Sequence, residues 1–579
     1  MTKNKRLFVC FISSSIKLKF IFRWIIFIIY IGQVIFIIII LTKNIFSIRV
    51  RWSLIKLYWL NFEILLNFDQ LSYIFRLTVN YISVCVITFS NFYIRSDKHY
   101  LYFHRLILLF IFSILLLIFS QNSLRIIVGW DILGVSSYLL VLYYNNRLSA
   151  NCAMTTVLRN RVGDLFLIIL LRLLFSLGRF NIRINKFRFE FIFFRVLILF
   201  AGCTKRAQIP FRAWLPLAMI APTPVRALVH RSTLVTAGLY IIIRHFLNIN
   251  LWIGRNFLFI MGRITIILAR LRALFEIDVK KIVALSTLSQ LGVIRLGLGI
   301  ELPIISFLHL LIHAYFKAII FIIVGQLIYF SLGYQAITFI GGLGIRSPII
   351  IRGFLIGRLS LIGVPFMASF YSKEPLIEIL NIRNFLLVGY FLILRGVYLT
   401  CLYSLRLVLL SGIFLVRHCS IIHILERMKS VFRIFLLFFP SFIRGTIFSN
   451  FFSYLRFESL INSKVKIIIC FLIFLRFIPL RINYIYNKNI YFSKNYIYPW
   501  LNSYMGLMTF TSRFSNFIFI KNRKMLYFIR TSMINYNLKN VGPSKFFFKE
   551  KIFFLERTNL SKNLSFLFLR IFIISLLSF

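Results

Sequence analysis

Apolar windows of membrane-spanning length recur from one end of this chain to the other. About 20 apolar residues cross a bilayer as a helix. Such windows fall near 20–41, 78–95, 104–121, 126–144, 163–178, 190–203, 235–250, 256–275, 280–300, 303–330, 350–368, 383–412, 430–443, 464–480 and 562–579. A stretch near 55–75 reads less clearly, as a span or a re-entrant segment. Hydrocarbon offers the backbone no hydrogen-bond partner, so each segment must satisfy its own N–H and C=O groups as a helix. The expected fold is an all-α polytopic membrane protein with about 14–16 transmembrane helices. The mean hydropathy of +0.88 and the 60% hydrophobic content exclude secreted, cytosolic-enzyme and disordered classes, since a soluble chain is nearer half apolar. Lys3, Lys5 and Arg6 precede the 21–41 run, which is long enough to read as a span and not as a cleaved signal.

The charge balance conflicts with that fold. Lys and Arg number 69 against 15 Asp and Glu, a formal net charge of +54, and 44 of the 69 are Arg. A cationic nucleic-acid binder is one reading of such a balance, but the Arg residues form no patch. They sit singly inside apolar runs, as in ILARLRALF (267–275) and LILRGVYLT (392–400). Each Arg at a bilayer centre costs about 2.5–3.5 kcal/mol on insertion scales, and 15 acids cannot pair dozens of them. The seven Cys residues form no CxxC pair, so a disulfide, zinc or iron–sulfur framework lacks its spacing and small apolar fillers are the expected role.

Two places interrupt the apolar pattern. Residues 203–226 contain Pro210, Pro216, Pro222 and Pro224, and residues 360–378 contain Gly363, Pro365 and Pro375. Proline removes a backbone donor and clashes with the preceding turn, and the freed groups persist at membrane depth only where they line a polar cavity. A Lys stands beside each break, Lys205 and Lys373. Paired broken helices in corresponding segments point to an internally repeated transporter.

Ionisable groups inside the spans are candidates for function. Asp131 lies in VGWDILGVSSYLL, where a carboxylate needs a cation or water to stay ionised. His230 follows the first break, Lys280 opens a span, and Glu374 adjoins Lys373. His309, His313 and Lys317 are spaced i, i+4, i+8 in LHLLIHAYFKAII. A helix places these three on one face, drifting about 40° per step over roughly 12 Å. The H-x-x-x-H spacing also suits zinc, but no third acidic or Cys ligand is near, and hydrogen-bonded core histidines are the plain alternative. A stripe of titratable groups with coupled proton affinities is what lateral proton transfer through a membrane needs. No nucleotide-binding motif, redox-centre motif or catalytic triad accompanies it, so the expected energy source is a partner.

These segments resemble the mitochondrial NADH–ubiquinone oxidoreductase chain 5 family, the antiporter-like membrane subunits of respiratory complex I. The resemblance rests on GWDILGVSSYLLVLYYNN (129–146), NRVGDLFLI (160–168), 201–244, EIDVKKIVALSTLSQLG (276–292), HLLIHAYFKAIIF (309–321) and LIGVPFMASFYSKEPLIE (361–378). It implies a proton-pumping core subunit in the mitochondrial inner membrane, with two inverted repeats and a lateral amphipathic helix near 505–558. The boundaries that follow are 1–103 for N-terminal helices, 104–250 and 251–412 for the repeats, and 413–579 for the C-terminal helices. It also implies a relay of Asp131, Lys205, His230, Lys280, His309, His313, Lys317, Lys373 and Glu374, the last standing where the family usually has Asp. The chain itself is expected to hold no redox centre, cofactor or metal; NADH, FMN, iron–sulfur clusters and ubiquinone belong to the complex. The implied partners are other complex I membrane subunits, above all the adjacent antiporter-like one, and lipid, with no nucleic acid. The alternative function is a subunit of the related multisubunit Na⁺/H⁺ antiporters.

The resemblance also accounts for the charge. At Arg159, Arg206, Arg212, Arg226, Arg231, Arg295 and Arg358 the family commonly has Ser or another small residue, whereas Arg161, Arg244 and Arg406 are the family's own. Many invertebrate mitochondrial codes read AGA and AGG as Ser and AUA as Met. A sequence written under another code carries Arg and Ile in their place, and the chain has only 10 Met. A large share of the Arg residues is therefore expected to be Ser in the expressed protein.

Overall fold

The computed structural model describes residues 48–413, apart from 58–59, 95–96, 177–189, 206–207, 209–210, 212–213, 229–232, 247–251, 332, 338–339, 341–346, 366 and 383–386. The spans expected near 20–41, 430–443, 464–480 and 562–579, and the lateral helix near 505–558, lie outside the described residues, as does His230.

The helices follow the apolar windows. They are α1 (Gln70–Tyr93), α2 (Tyr100–Phe119), α3 (Ser123–Val141), α4 (Arg147–Ser176), α5 (Glu190–Lys205), α6 (Leu234–Arg244), α7 (Trp252–Phe275), α8 (Val279–Gly299), α9 (Pro303–Phe330), α10 (Pro348–Ile362), α11 (Phe370–Ile382) and α12 (Leu387–Val408). Among the described residues, α1, α2, α3, α8 and α9 are long and apolar enough to cross a membrane. Helix α7 has the length but carries Arg255, Arg263, Arg270 and Arg272, the last two being the arginines of the ILARLRALF run. The protein is a multi-pass helical membrane protein.

An antiparallel hairpin of β1 (Ile48–Leu57) and β2 (Leu60–Phe68) precedes α1. It stands where the sequence reading placed an unclear span near 55–75, and it is the exception to an all-α fold. Arg49, Arg51, Asn61, Glu63 and Asn67 interleave with apolar residues at period two, the spacing that gives a strand two chemically distinct faces. The chain turns from hairpin to helix at Asp69, whose N–H donates to Ser72 Oγ at 2.9 Å within a capping box.

Helices α8 and α9 form the centre. Their apolar stretches are 94% and 100% buried, against 44–56% for α1, α2 and α3. A helix buried all round is apolar all round, so the polar residues that α8 and α9 carry stand out. Helix α7 packs closely on α8 because Gly262 and Gly292 face each other; a Cβ on Gly292 would lie 2.6 Å from Ile266 and 2.8 Å from Thr265 Oγ1. Small residues at such contacts are how membrane helices approach one another.

Candidate functional site

Both expected breaks are present, and each exposes main-chain groups to a lysine or an indole. Helix α5 stops at Lys205, and the chain resumes in short helical turns at Trp214–Leu217 and Thr223–Ala227 before α6. The carbonyl of Thr204, freed at that stop, accepts a hydrogen bond from Trp214 Nε1 at 3.1 Å. Helix α10 stops at Gly363, which has φ 91°, a left-handed conformation that favours glycine. The N–H groups of Gly363 and Val364 both turn back to Leu359 O, at 3.0 and 3.3 Å. The carbonyls of Leu361 and Ile362 are left facing Lys373, whose Nζ donates to both. A cation at a helix C-terminus meets the negative end of the peptide dipoles.

Around the first break, three helices bring their charges together. Lys205 is fully buried. Its Nζ donates to the main-chain oxygen of Trp130 at 2.7 Å and lies 3.8 Å from the centre of the Trp130 ring. The carboxylates of Asp131 and Asp164 and the guanidinium of Arg161 act on it electrostatically. Arg161 Nη1 is 3.2 Å from Asp164 and 4.0 Å from Asp131. The approach of α4 to α5 depends on Gly163, where a Cβ would lie 2.1 Å from Thr204 Oγ1.

The second cluster runs along α9. His309, His313 and Lys317 are all fully buried on that helix. Lys317 Nζ donates to Ser286 Oγ of α8 at 2.6 Å. His313 sits edge-on to Phe316, with ring centres 5.4 Å apart, and 6.4 Å from the His309 ring centre. His309 Nδ1 shares a hydrogen bond of 2.8 Å with Ser372 Oγ, and its Nε2 lies 3.3 Å from Gln290 Oε1. Ser372 is the residue before Lys373 on α11, so this hydrogen bond ties the α9 stripe to the neighbour of the second break's lysine.

Of the residues expected from the sequence, Asp131 and Lys205 meet at the first break, and Lys317, His313, His309 and Lys373 line up toward the second. Lys280 stands in the first turn of α8, 7% exposed, with Arg226 and Asp278 as charged neighbours. Asp278 pairs with Lys281 at 2.7 Å. Glu374 is half-buried on α11. The sequence reading did not single out Asp164, Trp130, Ser286, Gln290 or Ser372. Asp164 carried the same signal as Asp131, an acid within an apolar helix. The others are polar or aromatic residues whose role appears only when neighbouring helices are placed. Among the described residues no three His, Cys, Asp or Glu side chains lie close enough together to hold a metal ion.

Broken helices with a buried lysine at each break define an antiporter-type membrane subunit. A family model described as NADH:quinone oxidoreductase/Mrp antiporter matches residues 120–402. The fold is similar to a subunit of the Mrp complex from Dietzia sp. (TM-score 0.65, 21% identity, 87% of this chain and 59% of that one). It is also similar to a subunit of an archaeal membrane-bound sulfane sulfur reductase (TM-score 0.62, 24% identity, 67% and 82%). NADH-ubiquinone oxidoreductase chain 5 of Aedes aegypti is 41% identical over 367 residues, 62% of this chain and 63% of the relative. The Anopheles arabiensis protein of the same name is 40% identical over 347 residues, 59% of this chain and 90% of the relative. The chain belongs to the NADH-ubiquinone oxidoreductase chain 5 family, although the match spans less than two thirds of the Aedes protein's length.

Proposed function

We propose that this chain is the proton-translocating membrane subunit of an NADH:ubiquinone oxidoreductase in the mitochondrial inner membrane. Protons move along a buried relay, driven by NADH oxidation and quinone reduction in other subunits. The relay comprises Asp131, Lys205, His230, Lys280, His309, His313, Lys317, Lys373 and Glu374, and we add Asp164, whose carboxylate acts on Lys205. The carrying observation is the succession Lys317, His313 and His309 on α9 and Ser372 and Lys373 on α11, buried from end to end. Buried titratable groups that lie near one another respond to each other's charge, so a charge change at one end is felt along the row. The chain's division into helices up to 103, repeats over 104–250 and 251–412, and C-terminal helices beyond belongs to the same reading. So do docking against an adjacent antiporter-like subunit and the location of the redox cofactors on other subunits.

The test is Lys205→Met in the assembled complex, with protons pumped measured against NADH oxidised. Loss of pumping per NADH is expected. Unchanged pumping removes Lys205 from the path. A second reading, a subunit of a Na⁺/H⁺ antiporter, draws on the fold shared with the Mrp complex. Purification without flavin or iron–sulfur proteins would favour it.

A further inference from the structure

We infer that the Ser372 hydroxyl and the Gln290 amide are the positioning groups that let His309 carry a proton on either ring nitrogen, making it the switch between the α9 stripe and the Lys373 break. The inference rests on the relay reading above.

The hydrogens around the buried His309 ring show what each neighbour does. His309 is 0% exposed, as are Gln290 and Ser372. A neutral imidazole has one donor and one acceptor nitrogen, and an imidazolium has two donors. With the proton on Nε2, that nitrogen donates to Gln290 Oε1 at 3.3 Å, and Nδ1 accepts the Ser372 hydroxyl hydrogen at 2.8 Å. When a second proton binds Nδ1, both nitrogens donate. Gln290 Oε1 still accepts, and Ser372 Oγ becomes the other acceptor. Its own hydrogen then turns to the main-chain oxygen of Ser369, 3.2 Å away, so both ring nitrogens and the hydroxyl keep partners. When the Nε2 proton leaves, that nitrogen needs a donor. Gln290 Nε2 is buried and has no hydrogen-bond partner; rotating the amide by half a turn places it where Oε1 was.

One N–H bond has formed on Nδ1 with a proton given up by the Lys373 ammonium, which becomes a neutral amine, and one has broken on Nε2 with its proton taken up by the neutral His313 ring, whose centre is 6.4 Å away; the His309 ring is neutral again. A hydroxyl that can reverse its bond and an amide that presents either end are what this passage needs. A methyl group or an aliphatic chain would strand one of the three states, at the penalty of an unsatisfied buried polar group. The charged groups that act on the ring are Lys373 of α11 and Arg270 of α7, and His313 is its titratable neighbour on α9.

The test uses the assembled complex in liposomes and reads protons pumped per NADH oxidised for His309→Leu, Ser372→Ala, Ser372→Thr and Gln290→Met. His309→Leu and Ser372→Ala are expected to lower the ratio severalfold, Ser372→Thr to restore most of it because the hydroxyl returns, and Gln290→Met to lower it without help from Ser372. Infrared difference spectra with ¹⁵N-labelled histidine are expected to show two ring tautomers in the parent and one in Ser372→Ala. If Ser372→Ala prevents assembly, Gln290→Met decides the matter. A low ratio in His309→Leu with parental ratios in Ser372→Ala and Gln290→Met overturns this inference and leaves the relay standing. A parental ratio in His309→Leu overturns both.

Discussion

The buried arginines give the sharpest quantitative expectation. Arg358 on α10 is 1% exposed, and its Nε, Nη1 and Nη2 are all buried without a hydrogen-bond partner. Each stranded donor costs about 1–3 kcal/mol, and more when charged, so the three together cost roughly 3–9 kcal/mol. The guanidinium lies 4.7 Å from the Phe354 ring centre, and a desolvated cation–π contact returns about 2 kcal/mol. The balance is a loss of roughly 1–7 kcal/mol from this side chain alone, set against a net stability of about 5–15 kcal/mol for a typical domain. Arg226 has Nε and Nη1 stranded in the same way. Arg295 has Nε and Nη1 stranded, with only Nη2 placed, 2.7 Å from Cys203 Sγ. A serine at such a site satisfies itself, since its hydroxyl donates to a carbonyl one turn back, as Ser360 does to Gly357 at 2.8 Å and Ser286 to Val283 at 2.7 Å. An arginine introduced at position 358 of the native complex is therefore expected to lower its thermal stability. Peptide mass spectrometry of the native chain is expected to find serine at 226, 295 and 358, with no tryptic cleavage after them. Arginine recovered at those three positions, or an unchanged melting temperature with arginine at 358, would refute the reasoning.

Asp164→Asn is expected to reduce pumping per NADH as far as Lys205→Met does, because it removes one of two carboxylates acting on that ammonium; a parental ratio would take Asp164 out of the relay. Gly163→Ala forces a methyl to within 2.1 Å of Thr204 Oγ1. It should destabilise the complex by about 1–3 kcal/mol, the usual range for overpacking, as read by thermal unfolding. Gly363→Ala places a Cβ at φ 91° and 3.4 Å from Lys373 Cδ. The strain of a left-handed residue, about 1–2 kcal/mol, should lower the melting temperature, with pumping falling more than stability because Lys373 loses its seat.

The helices and both breaks were legible because lipid leaves few choices: a long apolar run must be a helix, and Pro or Gly within it must be accommodated. The stripe on α9 was legible for the same reason, since 309, 313 and 317 share a face on any helix. The hairpin at 48–68 was missed because its apolar residues were weighed by total hydropathy, while its strand signal lies in their alternation with Arg49, Arg51, Asn61 and Glu63. Ser372 and Gln290 were not legible at all. Nothing along the chain marks a serine or glutamine as a histidine's partner when 63 and 19 residues separate them from it; only the packing of α8, α9 and α11 does.

The way the lysines are held bears on what they can do. Lys205 donates to a main-chain carbonyl, Lys317 to a hydroxyl, and Lys373 to two carbonyls at a helix end. Each of these acceptors is neutral. Away from the stripe, Lys281 is bound directly to the Asp278 carboxylate at 2.7 Å and more than a third of its side chain is exposed. A buried lysine in direct contact with a carboxylate would be a poor carrier, since losing its proton would strand a bare negative charge in the core. A lysine resting on a carbonyl or a hydroxyl faces no such barrier. The ammonium donates to that oxygen, and the neutral amine left after deprotonation still does. Such seats, with the carboxylates of Asp131 and Asp164 acting on Lys205 from nearby, leave each of the three lysines with an oxygen to bond whether or not it carries its extra proton, which is what the proposed relay requires.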